Sequence, residues 1–265
     1  MLTELKIVRA NPTGNITLFV YGSVPESKYA RVGAELMACP EFQAEQVGFI
    51  TDPLYGSTGR IEMSGGEFCG NAARAFGYYL SKIHAVRTPH IDIEISGSSI
   101  PVHTTVYPGR HVAFAELPLP VSVSSIDLPA PYGTCPFIRF DGIWHILLIG
   151  HEISEDAFER IRGFIYSQNS PEALGVMFLS SDCTSMDPMV YVLGPNTTYR
   201  ESSCGSGTAA VAAYLANTKH LSEISIRQPA GIMQARMTYD ENELIGLMVG
   251  GSVYIDEPVS YTMDI

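Results

Sequence analysis

Two stretches of the chain alternate apolar and polar residues about a turn. One runs from Val102 to Val106 and from Val112 to Phe114, around Tyr107-Pro108-Gly109. The other runs from Met233 to Met237 and from Leu244 to Met248, around Tyr239-Asp240-Glu241. Period-two patterning flanking a turn predicts a β-hairpin in each place. An Ala-rich run stands before each hairpin, and alanine is the strongest helix former, so a helix is expected at each run. Both helices are headed by Cys-Gly. Cys69-Gly-Asn-Ala-Ala-Arg-Ala-Phe-Gly-Tyr-Tyr-Leu80 and Cys204-Gly-Ser-Gly-Thr-Ala-Ala-Val-Ala-Ala-Tyr-Leu215 share five of twelve positions at an offset of 135 residues, close to half the chain. The pattern predicts an α/β protein of two similar halves, each with many short strands and one Ala-rich helix.

Composition narrows the classes. A chain of 265 residues suits one large domain or two of about 130 residues. With 46% hydrophobic and 17% charged residues it reads as globular rather than disordered. Lys and Arg number 16 against 28 Asp and Glu, a net charge of −12. Such a surface repels phosphate backbones and anionic lipid, so neither nucleic acid nor membrane is expected as a partner. No apolar run approaches the ~18 residues that span a bilayer. The segment MLTELKIVRA places Glu4 where a signal peptide has its apolar core, which predicts a cytoplasmic protein. The five cysteines, Cys39, Cys69, Cys135, Cys183 and Cys204, show no C-x-x-C spacing, and no histidines stand at H-x-x-x-H. Neither a metal site nor a disulfide framework is expected, and the thiols are free.

The two helix starts have a chemistry of their own. Gly70-Asn71 and Gly205-Ser206-Gly207 suit tight strand-to-helix turns. The first-turn N–H groups lack intrahelical partners and the dipole favours negative charge there. Such a terminus binds a carboxylate and lowers the pKa of a thiol. One such cysteine reads as filler of a tight junction. Two, half a chain apart, point to a pair of acid/base groups that remove a proton from one face of a carbon and return it to the other.

At these residues the chain resembles a known family. Glu67-Phe68-Cys69-Gly70-Asn71-Ala72-Ala73-Arg74 and Ser203-Cys204-Gly205-Ser206-Gly207-Thr208-Ala209 are similar to the two cysteine motifs of the diaminopimelate epimerase superfamily of cofactor-independent amino-acid racemases and epimerases. Gly14-Asn15 resembles its early Gly-Asn element, Glu45-Gln46-Val47 its Asp-Gln segment, and Gly142-Ile143-Trp144-His145 its Gly-Asn-Pro-His segment. The resemblance covers nearly the whole chain. It implies two pseudo-symmetric lobes, each a β-barrel-like sheet around a central helix, with the active-site cleft between them. The lobes would be 1–117 plus 253–265, and 118–252, with the crossing at Leu117-Pro118-Leu119-Pro120.

The resemblance further implies that Cys69 and Cys204 are the acid/base pair, one thiolate and one thiol. Backbone donors at Gly70, Asn71, Gly205 and Ser206 would stabilise the charge that develops on the substrate carboxylate. Asn15 and Gln46 match substrate-contacting positions, with loop bracing as the plainer reading. His145 matches a histidine near the site, and a structural histidine fits it as well. No cofactor is implied. The partners implied are a small-molecule amino acid and a second copy of the chain in a homodimer.

Departures from the family bear on the substrate. Diaminopimelate has a distal amino-acid head that its epimerases hold with Asn side chains and a Glu-Arg pair. The counterparts here are Met63, Ile143 and Gly175-Val176-Met177, and the run before the second cysteine is only Tyr199-Arg200-Glu201-Ser202-Ser203. Apolar groups leave a buried second carboxylate and ammonium unpaired. The motif forms look most like the histidine racemase branch, some of which feed D-histidine to opine-type metallophore synthesis. Glu201 and Arg200 are candidates for contacting the imidazole, or else are solvated loop charges. Diaminopimelate epimerase and a non-catalytic binding protein on the same fold are the competing readings. Cys39, Cys135 and Cys183 match no motif and are expected to be structural.

Overall fold

Strands open the chain at β1 (Leu2–Asn11) and β2 (Thr17–Tyr21), followed by helix α1 (Tyr29–Met37). Then come β3 (Gln46–Thr51), β4 (Arg60–Met63), helix α2 (Gly70–Ile83), β5 (His90–Ile95), β6 (Val102–Tyr107) and β7 (Val112–Glu116). The second half holds β8 (Ser122–Leu128), β9 (Gly133–Arg139), β10 (Ile143–Ile149), helix α3 (Glu155–Tyr166), β11 (Ala173–Leu179), β12 (Met186–Val192) and β13 (Thr197–Arg200). Helix α4 (Gly205–Lys219), β14 (Glu223–Gln228), β15 (Gly231–Asp240), β16 (Glu243–Ser252), β17 (Tyr254–Ile255) and β18 (Val259–Asp264) complete it. The computed structural model describes residues 2–85, 88–194 and 196–265. Both expected hairpins form, as β6–β7 and β15–β16, and both Ala-rich runs are helices.

The chain divides into two compact units, Met1–Glu116 with Gly250–Ile265, and Leu117–Val249. In the first, the strands run β7-β6-β5-β4-β3-β2-β1, with β17 and β18 both on β1. β2–β3 and β4–β5 are parallel. Successive residues of β2 separate by face, as the period of two requires. Leu18 and Val20 join Val32 and Leu36 of α1 in one core, while Phe19 joins Ala72, Ala73 and Phe76 of α2 in the other. Helix α2 is buried almost all round, from Asn71 to Ser81, which makes it the centre of its unit rather than a surface helix.

The second unit has a six-stranded sheet ordered β13-β12-β11-β10-β9-β8, with β10–β11 its only parallel pair among the described residues. Ile146, Leu148, Val176 and Phe178 face α3, packing on Phe158, Ile161 and Ile165. Helix α4 packs against β8, β9, β10, β14 and β15. No strand pairing among the described residues closes either unit into a barrel. The barrel-like sheets implied by the resemblance are therefore open sheets around a central helix. In the second unit, among the described residues, an isolated bridge, Ser185 to Arg227, links the β12 side to β14 where closure would need a continuous ladder.

Candidate active site

Cys69 and Cys204 occupy the same structural position. Each is the N-cap of a buried helix, in extended backbone conformation, with its sulfur accepting a first-turn N–H. The donors are Ala72 to Cys69 at 3.5 Å and Gly207 to Cys204 at 3.2 Å. These bonds satisfy one orphan donor at each terminus and favour sulfur in its anionic form. Gly70, Asn71, Gly205 and Ser206 form the first turns, where N–H groups have no intrahelical acceptor.

The two surroundings differ. Cys204 is buried, and Gln228 accepts its backbone N–H at 2.7 Å. Gln228 in turn donates to Thr208 Oγ1 at 2.7 Å, and Thr208 Oγ1 donates to the Cys204 carbonyl at 2.6 Å. Burial pushes the Cys204 thiol well up, and Glu201, to which the thiol is hydrogen-bonded, adds to the rise. Ser206 Oγ at 3.5 Å and the Gly207 N–H act the other way. Gly207 is dictated by packing, since a Cβ there would lie 2.2 Å from Met177 Sδ and 3.1 Å from Cys204 Sγ. Cys69 is half-buried. Its neighbour one turn along α2 is Arg74, fully buried and in electrostatic contact with it.

Asn15 and Gln46 come together at one end of β2–β3. The N–H groups of Glu45 and Gln46 both donate to the Ile16 carbonyl, at 2.8 and 3.0 Å. The Asn15 Nδ2 group donates to Glu45 Oε2 at 2.8 Å, while Asn15 Oδ1 is buried without a partner among the described residues.

His145 lies on β10 with no solvent exposure. Both ring nitrogens lack partners among the described residues, and the ring packs edge-on to Phe140 and over Gly175, where a Cβ would come 2.3 Å from Nδ1. Burial lowers its pKa to about 3, so the imidazole is neutral. The structure thus places His145 in the interior of the second unit, beside Gly175 and, through it, Met177, whose sulfur also faces Gly207 in the first turn of α4. Glu201 and Arg200 line a cavity of about 490 Å³, together with Asp187, Ser202, Arg227 and Gln228. Met63 is a core residue, Val176 and Met177 are buried, and Ile143 is half-buried.

Reading the sequence missed Glu45, Arg74, Thr208 and Gln228 as site-supporting side chains. Arg74 and Thr208 stand inside the cysteine motifs, which was the available signal. Gln228 had none. Among the described residues no group of three His, Cys, Asp or Glu could hold a metal ion.

Comparison with known proteins adds to this geometry. Residues 4–257 match the family model described as the histidine racemase CntK N-terminal domain. A histidine racemase of Fusobacterium nucleatum is 32% identical over 262 residues, which are 95% of this chain and 97% of that protein. A histidine racemase of Staphylococcus aureus is 24% identical over 238 residues, 86% of each chain. The structure of a hydroxyproline epimerase from Agrobacterium vitis, with bound trans-4-hydroxy-L-proline, has a TM-score of 0.66 at 11% identity and covers 99% of this chain and 93% of that one. That likeness shows the fold. No helix among the described residues is long and apolar enough to cross a membrane.

Proposed function

The chain belongs to the histidine racemase CntK N-terminal domain family and is an isomerase, and from that premise we propose that it interconverts L- and D-histidine with Cys69 and Cys204 as its acid/base pair. The observation that supports this most is the repeated N-cap geometry. Two thiols, each with a first-turn N–H of a buried helix donating to its sulfur, are equivalent positions from which to take and return a proton.

In this reading one thiolate takes the α-proton while the other thiol delivers a proton to the opposite face of the α-carbon. Substrate handedness decides which does which. The α-proton of an amino acid is a very weak acid, so the developing charge on the carboxylate needs aimed donors. The N–H groups of Gly70, Asn71, Gly205 and Ser206 supply them in this proposal. Asn15 Oδ1 accepts from the substrate ammonium, with Glu45 holding the Asn15 amide and Gln46 beside it. Glu201 and Arg200 meet the imidazole from the cavity they line. His145 acts through packing, since its ring is sealed and neutral. A supply of D-histidine to opine-type metallophore synthesis rests on the resemblance alone.

Proton NMR in D2O tests the proposal, with L-histidine, L-diaminopimelate and other L-amino acids, and no cofactor added. The expected result is loss of the histidine α-proton signal together with inversion. Exchange confined to diaminopimelate overturns the substrate and keeps the chemistry. No exchange with any amino acid overturns both.

A further inference from the structure

Sulfur gathers at the head of α4 from three side chains of the second unit. A Cβ placed on Gly207 would lie 2.2 Å from Met177 Sδ, 3.1 Å from Cys204 Sγ and 3.3 Å from Met186 Cε. A thiol and a thioether thus meet at one point, with a second methionine against it. The strand register sets this up. Val176 and Phe178 of β11 turn towards α3, so Gly175 and Met177 turn to the other face of the sheet. His145 stands opposite Gly175 in the β10–β11 pairing.

Met177 also reaches the histidine. A Cβ on Gly175 would lie 2.8 Å from Met177 Cε and 2.3 Å from His145 Nδ1. The methionine therefore spans from the Cys204 sulfur to the His145 ring. That ring is fully buried, and neither of its nitrogens has a partner among the described residues. A buried polar group without a partner is unfavourable, and an apolar ring would fill this place more stably unless a nitrogen has something to bind.

The donors define what could bind. A thiolate, a thioether and a neutral imidazole are the ligands of a soft cation, and copper(I) is the first-row ion that accepts all three. Zinc would need a set of His, Cys, Asp or Glu ligands, and no group of three such residues is placed to hold a metal among the described residues. The unbranched methionine side chain lets its sulfur adjust to an ion. An entrance exists as well. Met186 lines the cavity of about 490 Å³, together with Glu201, Ser202 and Gln228.

We propose that Cys204, Met177 and His145 form a copper(I) site entered past Met186, and that copper held there withdraws Cys204 from the acid/base pair, an inference that rests on the two-thiol reading above. On binding, a copper–sulfur bond forms as the Cys204 S–H bond breaks, and the proton leaves to solvent. Met177 Sδ and His145 Nδ1 donate lone pairs, and nothing is oxidised or reduced. Removal of the copper by a chelator restores the thiol.

The test loads the full chain with copper(I), supplied under argon as its acetonitrile complex, and then challenges it with bathocuproine disulfonate. The wild type should retain one copper, and X-ray absorption at the metal should show two sulfurs and one nitrogen. Cys69→Ser should retain it equally, because Cys69 is not a ligand, and Cys204→Ser should lose it. Met177→Leu, close in volume, should hold copper at least about tenfold more weakly, since a direct ligand counts for no less than an outer partner. Loss of all copper from the wild type to the chelator overturns the proposal. So does equal retention by Met177→Leu or by Cys204→Ser. Should those variants fail to fold, a wild-type absorption spectrum with fewer than two sulfurs overturns it. Histidine α-proton exchange on the same samples separates the two readings. Exchange in the metal-free chain with no copper retained sinks the site alone, whereas copper retained as expected with no exchange in the metal-free chain sinks the racemase reading.

Discussion

Helices α2 and α4 begin with the same Cys-Gly, cap their first turn with the same sulfur, and bury nearly their whole length, yet they place their thiols in opposite electrostatic settings. Cys69 is half-buried with a guanidinium beside it, and Cys204 is sealed with a carboxylate beside it. The framework that holds each helix differs too. Arg74 ties α2 to chain segments 61 and 178 residues away, and Gln228 clamps the head of α4 through its backbone N–H and Thr208. The lesson is that a structural repeat supplies two equivalent positions for sulfur, while residues from elsewhere in the chain give each its own surroundings.

The hardest test of equivalence is to remove each sulfur. Cys69→Ser and Cys204→Ser should each lower histidine racemisation by at least about 100-fold, because either direction needs both groups. A single variant keeping more than about a tenth of wild-type turnover would break the pairing.

A second contrast is between the buried titratable groups, Arg74 kept charged in the first unit and His145 kept neutral in the second. His145 in the folded chain has its pKa near 3, below its ordinary 6.5. Above pH 6.5 it is neutral in both states and contributes no pH dependence. Below that, the unfolded chain binds a proton that the folded one refuses, so stability falls as pH drops from 6.5 towards 3, by up to about 1.4 kcal/mol per unit. Denaturant melts at several pH values should show this slope, and His145→Phe should flatten it.

Packing around the sulfurs offers a smaller effect. The repeat aligns Gly207 with Ala72, so a methyl group fits one helix and not the other. Gly207→Ala should cost about 1–3 kcal/mol by forcing Met177 aside and should slow turnover by displacing Cys204 Sγ. Equal stability in thermal melts would show that the methionine yields freely. The mildest prediction concerns Glu201→Gln, which removes the carboxylate that raises the Cys204 thiol. Alkylation of Cys204 near pH 8 should quicken by about two- to tenfold, and an unchanged rate would mean that burial alone sets this thiol.

Much of the fold was legible in the chain because its signals are local. Alternation about Tyr107-Pro108-Gly109 and about Tyr239-Asp240-Glu241 marks β6–β7 and β15–β16, and alanine runs mark α2 and α4. The family assignment was legible too, since it rested on contiguous motifs around Cys69 and Cys204. His145 shows the opposite case. A histidine beside apolar residues is compatible with a site or with a core, and what seals it is the absent side chain of Gly175, thirty residues later, in register across β10–β11. That the barrel-like sheets stay open was not legible for a similar reason, because the number of ladder bonds joining two sheet edges is not a property of either edge strand.

The sequence by itself determined where the two helices start, that sulfur heads each of them, and that the chain repeats at half its length. Those features depend on backbone propensity and on neighbours within a few residues. Only the tertiary structure decided that Arg74 reaches Pro12, Thr13 and Ser252, that Glu45 holds Asn15, and that Gln228 holds Cys204. Each of these is a hydrogen bond between residues 24 to 178 positions apart, with Gln228–Cys204 at 24 and Glu45–Asn15 at 30 at the short end. A side chain's donors and acceptors are written in its identity, but its partner is set by the path of the chain through both cores.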